Sequence, residues 1–109
     1  MTARRPPPDL PRAPADLIAV APGGREVILA WSIAAAGGLG FHVERADGIG
    51  STCRFREIGG TGAHVAAFRD GSVKPRRTYS YRVHAWNASG DSSPSNVVEV
   101  TTPAPAGPR

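Results

Sequence analysis

Three histidines, His42, His64 and His84, are the side chains best suited to acid–base or metal chemistry in this sequence. None of them belongs to a catalytic motif, because the sequence contains neither G-x-S-x-G nor H-E-x-x-H. The glycine pairs, such as 59–60, fall in predicted turns without the helix N-terminus that would cradle a phosphate. Since an enzyme needs convergent groups in a pocket, we predict no enzymatic activity, no catalytic residues and no cofactor.

Metal binding is the other chemistry that the histidines could support. His42 and His84 face outward from two predicted strands, but a structural or catalytic zinc site needs three or four ligands. The single cysteine, Cys53, excludes both a cysteine cluster and an internal disulfide. We therefore predict no metal site and expect His42 and His84 to be solvated.

The segment 78–87 contains the clearest strand pattern of the chain. Its alternation predicts one buried face and one outward face. The buried face consists of Tyr79, Tyr81, Val83 and Ala85, and the outward face of Ser80, Arg82, His84 and Trp86.

A tryptophan on a solvated sheet is unusual unless something covers it, which leaves two interpretations of Trp86. It covers Arg82 or His84 on its own strand, or it forms a flat aromatic platform for a sugar or a protein.

Short β-rich runs recur along the middle of the chain with turn signals between them, which predicts an antiparallel sandwich. We expect inward side chains at Val27, Leu29, Trp31, Phe41, Val43, Val98 and Val100, with His42 and Glu44 outward. The seven predicted strands cover residues 16–21, 25–33, 39–46, 53–58, 62–68, 78–87 and 95–102.

The spacing of Tyr79 six residues after Val73 resembles the tyrosine corner of fibronectin type III domains. Further resemblances to that family are the strand-B-like Trp31 within VILAW and the segments 40–46, 68–70 and 95–103. The resemblance covers residues 14–103 and implies a seven-stranded, immunoglobulin-like Greek-key sandwich.

The resemblance also implies that the strands holding His42 and His84 are neighbours, and that the Tyr79 hydroxyl binds backbone near 73–75. Two positions depart from the family pattern, since Val73 replaces a leucine and Arg45 an aromatic residue. The structural core that we expect comprises Trp31, Phe41, Val43, Tyr79, Tyr81 and Val83.

The charge of +4 is concentrated in the Pro-rich ends of the sequence. Residues 14–103 carry nine Lys/Arg and eight Asp/Glu, so we do not expect nucleic-acid binding. We interpret residues 1–13 and 104–109 as flexible, extended linkers that do not pack on the domain. The sequence contains no apolar run long enough for a membrane span, and we expect a monomer.

The residue pattern most resembles that of bacterial family members. The resemblance implies an accessory module of a secreted multidomain protein. We therefore expect a non-catalytic spacer and protein-interaction domain, secreted or on the cell surface as part of a longer chain that includes neighbouring domains. A cytoplasmic location is the alternative, because residues 1–8 lack the apolar stretch of a signal peptide.

The alternative function is a dedicated polysaccharide- or protein-binding domain, of the kind that accompanies carbohydrate-active enzymes. Its ligand would contact the outward face of the predicted strands 39–46, 78–87 and 95–102, on a strip formed by His42, Glu44, Arg82, His84 and Trp86.

Overall fold

The computed structural model describes residues 10–33, 38–48 and 54–105. This part of the chain is all-β, and none of its segments forms a helix that could cross a membrane. The strands are β1 (Ala15–Gly23), β2 (Glu26–Ser32), β3 (Gly40–Asp47), β4 (Arg56–Gly62), β5 (Ala67–Asp70), β6 (Thr78–Asn87), β7 (Gly90–Asp91) and β8 (Val98–Thr101).

Two antiparallel sheets form a sandwich, which confirms the predicted fold class. One sheet has the strand order β1-β2-β5, and the other has the order β4-β3-β6-β7 with β8 also pairing with β6. β3 and β6 pair over their full common length, from Gly40 opposite Trp86 to Asp47 opposite Tyr79. The two strands that carry His42 and His84 are therefore neighbours.

The core lies between the sheets and follows the alternation of β2, β3 and β6. The rings of Trp31 and Phe41 meet edge to face across the sandwich, with centroids 5.4 Å apart. All six expected core residues are buried. The buried apolar side chains are Leu17, Val27, Leu29, Trp31, Phe41, Val43, Ala46, Val73, Tyr79, Tyr81, Val83 and Ala85.

The strands after residue 50 differ from the prediction in their bounds. We expected 53–58 and 62–68, whereas β4 continues to Gly62 and β5 begins only at Ala67. The reason is that Gly59 and Gly60 lie inside β4 and not in a turn. A Cβ on Gly59 would lie 2.7 Å from the ring of Phe68, so the glycine makes room for an aromatic side chain from the other sheet.

The last predicted strand, 95–102, is also shorter than expected, because β8 covers only Val98–Thr101. A two-residue strand, β7, precedes it and pairs with the end of β6, which gives eight strands instead of seven. Residues 34–37 and 49–53, which include Cys53 and part of the predicted strand 53–58, lie outside the described residues.

The chain reaches and leaves the sandwich at opposite ends. At the N-terminal end, Leu10 lies against Gly90, and Pro11 lies beside Gly38. At the C-terminal end, the Arg76 amide donates hydrogen bonds to the carbonyls of Thr102 and Pro103, at 3.2 and 3.3 Å.

Pro11 is buried, so the expectation that residues 1–13 do not pack is wrong for this proline. Its packing beside Gly38 brings part of the Pro-rich segment onto the domain. Ala104 and Pro105 are exposed, and residues 1–9 and 106–109 lie outside the described part of the chain.

Edge strand β1 is tied to the connection before β8 by one amide side chain. The Leu17 backbone N–H donates to Asn96 Oδ1 at 2.9 Å, and Asn96 Nδ2 donates to the Leu17 carbonyl at 3.0 Å. The pairing of β1 with β2 is irregular on both sides of the segment 18–20, between Ala15 and Ile18 and between Val20 and Gly23.

Candidate binding face

The candidate face is the outward side of the five-stranded sheet. Antiparallel register places His42 opposite His84 and Glu44 opposite Arg82, with Trp86 opposite Gly40. Because the odd-numbered neighbours of these residues point into the core, their own side chains lie together on the outside. The structure thus brings all five residues of the predicted strip onto one surface.

Glu44 is the centre of one half of this surface. Its Oε1 accepts hydrogen bonds from Arg82 Nε at 2.5 Å and from His84 Nε2 at 3.0 Å. Burial acts to raise the pKa of Glu44, but the hydrogen bonds and charges of Arg82 and His84 outweigh it and hold that pKa below its ordinary value. The Arg82 guanidinium also lies over the Phe55 ring, 4.2 Å from its centroid.

His84 is held from both sides. Its Nδ1 lies 3.0 Å from the Ser92 carbonyl oxygen, while Nε2 faces Glu44. Both partners are hydrogen-bond acceptors when Glu44 is ionised, so the doubly protonated ring satisfies both contacts at once. His84 is therefore packed into the sheet surface and not solvated as the sequence suggested.

Trp86 belongs to the other half of the surface, where it stacks on His42. Their ring centroids are 5.5 Å apart and the rings are inclined by 17°. The indole also leans over Gly40, where a Cβ would lie 2.8 Å from Trp86 Nε1. A neighbouring side chain does cover Trp86, but it is His42 on β3 and not the expected Arg82 or His84.

His42 in turn lies between two carboxylates from the strands at either side. His42 Nδ1 lies 3.2 Å from Glu57 Oε2 on β4, and Nε2 lies 3.9 Å from Asp91 Oδ1 on β7. Within the described ranges, no group of three or more His, Cys, Asp or Glu side chains could hold a metal ion. The face thus offers Trp86 on the strip and Phe55 beside it, among polar side chains that already contact one another.

A second polar cluster, which we did not predict, lies on the inner side of the same sheet. Arg45 is 6% exposed and Asp70 is 3% exposed. Arg45 Nη1 donates to Asp70 Oδ2 at 3.0 Å, and the Tyr81 hydroxyl donates to the same oxygen at 2.7 Å. Ser72 donates to Asp70 Oδ1 from its hydroxyl at 2.7 Å and from its backbone N–H at 3.0 Å.

These contacts shift the ionisation of the buried groups. Burial acts to raise the pKa of Asp70, but the hydrogen bonds from Ser72, Tyr81 and Arg45 prevail and lower it. Burial and the neighbouring Asp70 carboxylate raise the pKa of the Tyr81 hydroxyl far above its ordinary value, so that it stays a proton donor.

Next to this cluster lies the tyrosine corner. The Lys74 backbone N–H donates to the Tyr79 hydroxyl oxygen at 2.9 Å, as expected from the spacing of Val73 and Tyr79. The Thr102 hydroxyl closes the same corner, since it donates to the Lys74 carbonyl at 2.6 Å and accepts from the Arg77 N–H at 3.0 Å.

Comparison with solved structures identifies the fold as that of fibronectin type III domains. A solution structure of such a domain from human fibronectin type III domain containing protein 3 is 25% identical, with a TM-score of 0.73, and 91% of this chain and 92% of that one are covered. The FN5 domain of Drosophila Lar is 21% identical, with a TM-score of 0.71, over 87% of this chain and 99% of that one.

A crystal structure of consecutive titin domains is also similar, with a TM-score of 0.74 and 21% identity, and it covers 86% of this chain. This chain spans 32% of the titin chain in that structure. No protein-family profile and no curated protein sequence matches.

Proposed function

We propose that this fibronectin type III-like domain is a non-catalytic spacer and protein-interaction module within a larger secreted bacterial protein. The observation that carries the proposal is the path of the chain, which reaches the sandwich beside Gly90 and leaves it beside Gly24, at the opposite end. A domain with this path can be placed in series between two others without bending the chain back. The similar titin domains were solved as part of a longer chain, which also supports an arrangement in series.

The absence of assembled catalytic groups on the described strands fits the same proposal. The histidines on the outward face bind carboxylates and a carbonyl, and no serine or threonine hydroxyl hydrogen-bonds to either ring among the described residues. The buried Asp70 is fully engaged by Arg45, Tyr81 and Ser72, so it is not free to accept a proton from a substrate.

The experiment that tests the module proposal is an immunoblot of fractionated cells and culture medium, with an antibody raised against the 109-residue chain. We expect the antibody to detect a polypeptide much larger than 11.4 kDa, outside the cytoplasm. A native polypeptide of 11.4 kDa confined to the cytoplasm would contradict both the serial arrangement and the secretion.

A dedicated binding domain is the second candidate, and the stacking of Trp86 on His42 favours it. The stack fixes the indole on the sheet, so a ligand with an apolar face, such as the C–H face of a sugar ring, would find an aromatic surface at little cost in side-chain entropy. Arg82 over Phe55 extends this surface toward β4.

An array of polysaccharides and cell-wall fragments tests this candidate with the Trp86→Ala variant. An aromatic anchor at the centre of an interface contributes at least ~2 kcal/mol, so the variant should lose about 30-fold in affinity while it remains folded. Val97→Ala is the control, because Val97 is an exposed apolar residue outside the strip. Equal binding by both variants would exclude the strip as the site.

A further inference from the structure

Six exposed basic residues lie at the C-terminal end of the sandwich, although they come from three segments that are distant in the sequence. Arg25 lies in the β1–β2 turn, where the adjacent Gly24 packs on Pro75 and Pro103. The start of β4 lies at the same end, because Arg56 pairs with Arg45 close to the end of β3. The β5–β6 loop supplies the rest. The six residues are Arg25, Arg54, Arg56, Lys74, Arg76 and Arg77.

The ion pairs among the described residues include none of these six charges. Elsewhere in the described part of the chain, Arg45, Arg69 and Arg82 each form an ion pair with a carboxylate. The nearest acids are already engaged, since Asp47 and Asp70 bind Arg45 and Glu26 binds Arg69.

Arg76 and Arg77 also line a cavity of about 310 Å³, together with Asp47, Gly48, Thr78 and Tyr79. Arg76 has a left-handed backbone with a φ of 59°, and its N–H is held by the carbonyls of Thr102 and Pro103. The Arg77 N–H is held by the Thr102 hydroxyl. These bonds from Thr102 and Pro103 fix the backbones of Arg76 and Arg77, whose side chains are exposed.

We infer that this end of the sandwich docks an acidic polypeptide segment, whose carboxylates bind Arg76 and Arg77. Guanidinium groups suit carboxylates because they donate two parallel hydrogen bonds to both oxygens. The other four basic residues lie at the same end of the sandwich and attract the acidic segment electrostatically. Residues 104–109 contain no Asp or Glu. In the proposed serial arrangement the segment therefore belongs to the domain that follows Arg109, which that arrangement keeps at high effective concentration near this end.

This assignment of the partner rests on the proposed serial arrangement. An acidic polypeptide is favoured over a nucleic acid because residues 14–103 carry nine Lys/Arg against eight Asp/Glu, which is not the excess of positive charge that binding to a phosphate backbone requires.

The test is calorimetric titration of the 109-residue protein with a deca-glutamate peptide at low ionic strength, against duplex DNA of equal charge. The Arg76→Gln/Arg77→Gln variant should lose at least about tenfold in affinity for deca-glutamate, as expected for charge-assisted hydrogen bonds. Arg5→Gln/Arg12→Gln is the matched control, because it removes the same charge from the sequence ahead of β1 and should change the affinity by less than about twofold.

Equal losses in the two double variants would overturn the proposal, since binding would then depend on net charge alone. Tighter binding to the DNA than to deca-glutamate would overturn it in favour of a nucleic acid. The calorimetric titration and the immunoblot test different statements, so the docking proposal and the module proposal can fail separately. An 11.4 kDa native polypeptide that binds deca-glutamate through Arg76 and Arg77 would refute only the serial arrangement.

Discussion

Each face of the five-stranded sheet bears the arginine of one arginine–carboxylate cluster, and the carboxylate of the inner cluster comes from β5 of the other sheet. Arg45 and Asp70 face the core, whereas Arg82 and Glu44 face solvent, although Glu44 and Arg45 are consecutive residues of β3. Asp70 is 3% exposed, while Glu44 retains 21% of its side-chain exposure and Arg82 retains 31%. The same chemistry is therefore present in two environments that differ in their access to water.

The difference shows why the buried cluster needs more partners than the exposed one. Removal of a charged pair from water costs several kcal/mol per ion, which attraction offsets only if the remaining polar atoms are also satisfied. Each carboxylate oxygen of Asp70 accepts two hydrogen bonds. Arg45 donates hydrogen bonds to Asp47 and Ser72 as well as to Asp70. Glu44 has fewer protein partners because water reaches it.

The largest effect should follow from removing the buried cation. Arg45→Ala leaves Asp70 without its charge partner inside the sandwich, and we expect a loss of ~3–5 kcal/mol in the free energy of unfolding. Urea denaturation measures this loss. Arg82→Ala is the control on the outer face, and equal losses in the two variants would mean that burial does not distinguish the clusters.

A smaller effect should come from the hydroxyl of Tyr81. Tyr81→Phe removes a hydrogen bond to the buried, ionised Asp70, which should cost ~1.5–3 kcal/mol. Tyr79→Phe is the matched variant, because its hydroxyl accepts from a neutral backbone N–H and should contribute only ~1 kcal/mol. Denaturation curves in which Tyr79→Phe is the more damaging substitution would refute this order.

Acidification should also separate the two clusters. The pKa of Asp70 is lowered in the folded protein, so its stabilisation is present above its unfolded value of 3.8 and is lost as the pH falls through the folded value. The same sign holds for Glu44, whose reference value is 4.5.

We therefore expect the free energy of unfolding to decrease as the pH is lowered from about 5. Asp70→Asn should flatten this dependence on pH more than Glu44→Gln does. Thermal melting of the three proteins across the acid range measures the slopes. A steeper slope in Asp70→Asn than in the unaltered chain would contradict the assignment.

The smallest effect should come from the outer face itself. Glu44→Gln removes the charge that Arg82 and His84 share, and partly exposed pairs of this kind contribute ~0.2–1 kcal/mol. The loss should shrink further in high salt, because screening weakens interactions between exposed charges. If Glu44→Gln instead lost more than about 2 kcal/mol in the free energy of unfolding, independently of salt, the outer cluster would behave like the buried one. Water would then not screen this face effectively.

The fold could be predicted because its signals are local. The alternation in 78–87 placed four side chains of β6 correctly, and the spacing of Val73 and Tyr79 predicted the bond between Lys74 and the Tyr79 hydroxyl. Alternation also contained the signal for the buried cluster. If the alternation of Phe41 and Val43 is continued to the next inward position, Arg45 also faces the core. A charged residue in that place requires a buried acidic partner.

Other features depend on contacts between distant segments and could not be predicted. Pro11 packs beside Gly38, which is 27 positions later in the sequence, and the stacking of Trp86 on His42 requires the register of β3 and β6. The net charge of residues 14–103 is close to zero and gives no sign of the basic C-terminal end. This cluster forms because the fold brings three separate segments to the same end of the sandwich.

The amide of Asn96 has a consequence for how copies of this domain behave in a crowded solution. A carboxamide has N–H donors on its nitrogen and an acceptor oxygen, so it can imitate the N–H and C=O of a passing β-strand, and Asn96 uses both atoms on the backbone groups of Leu17. β1 is an edge strand whose Ile18 and Val20 are 60% and 54% exposed, which is the kind of edge that recruits further strands into aggregates. Asn96 thus occupies backbone groups that a further strand would need, and the irregular pairing on either side of 18–20 also disfavours strand addition at this edge.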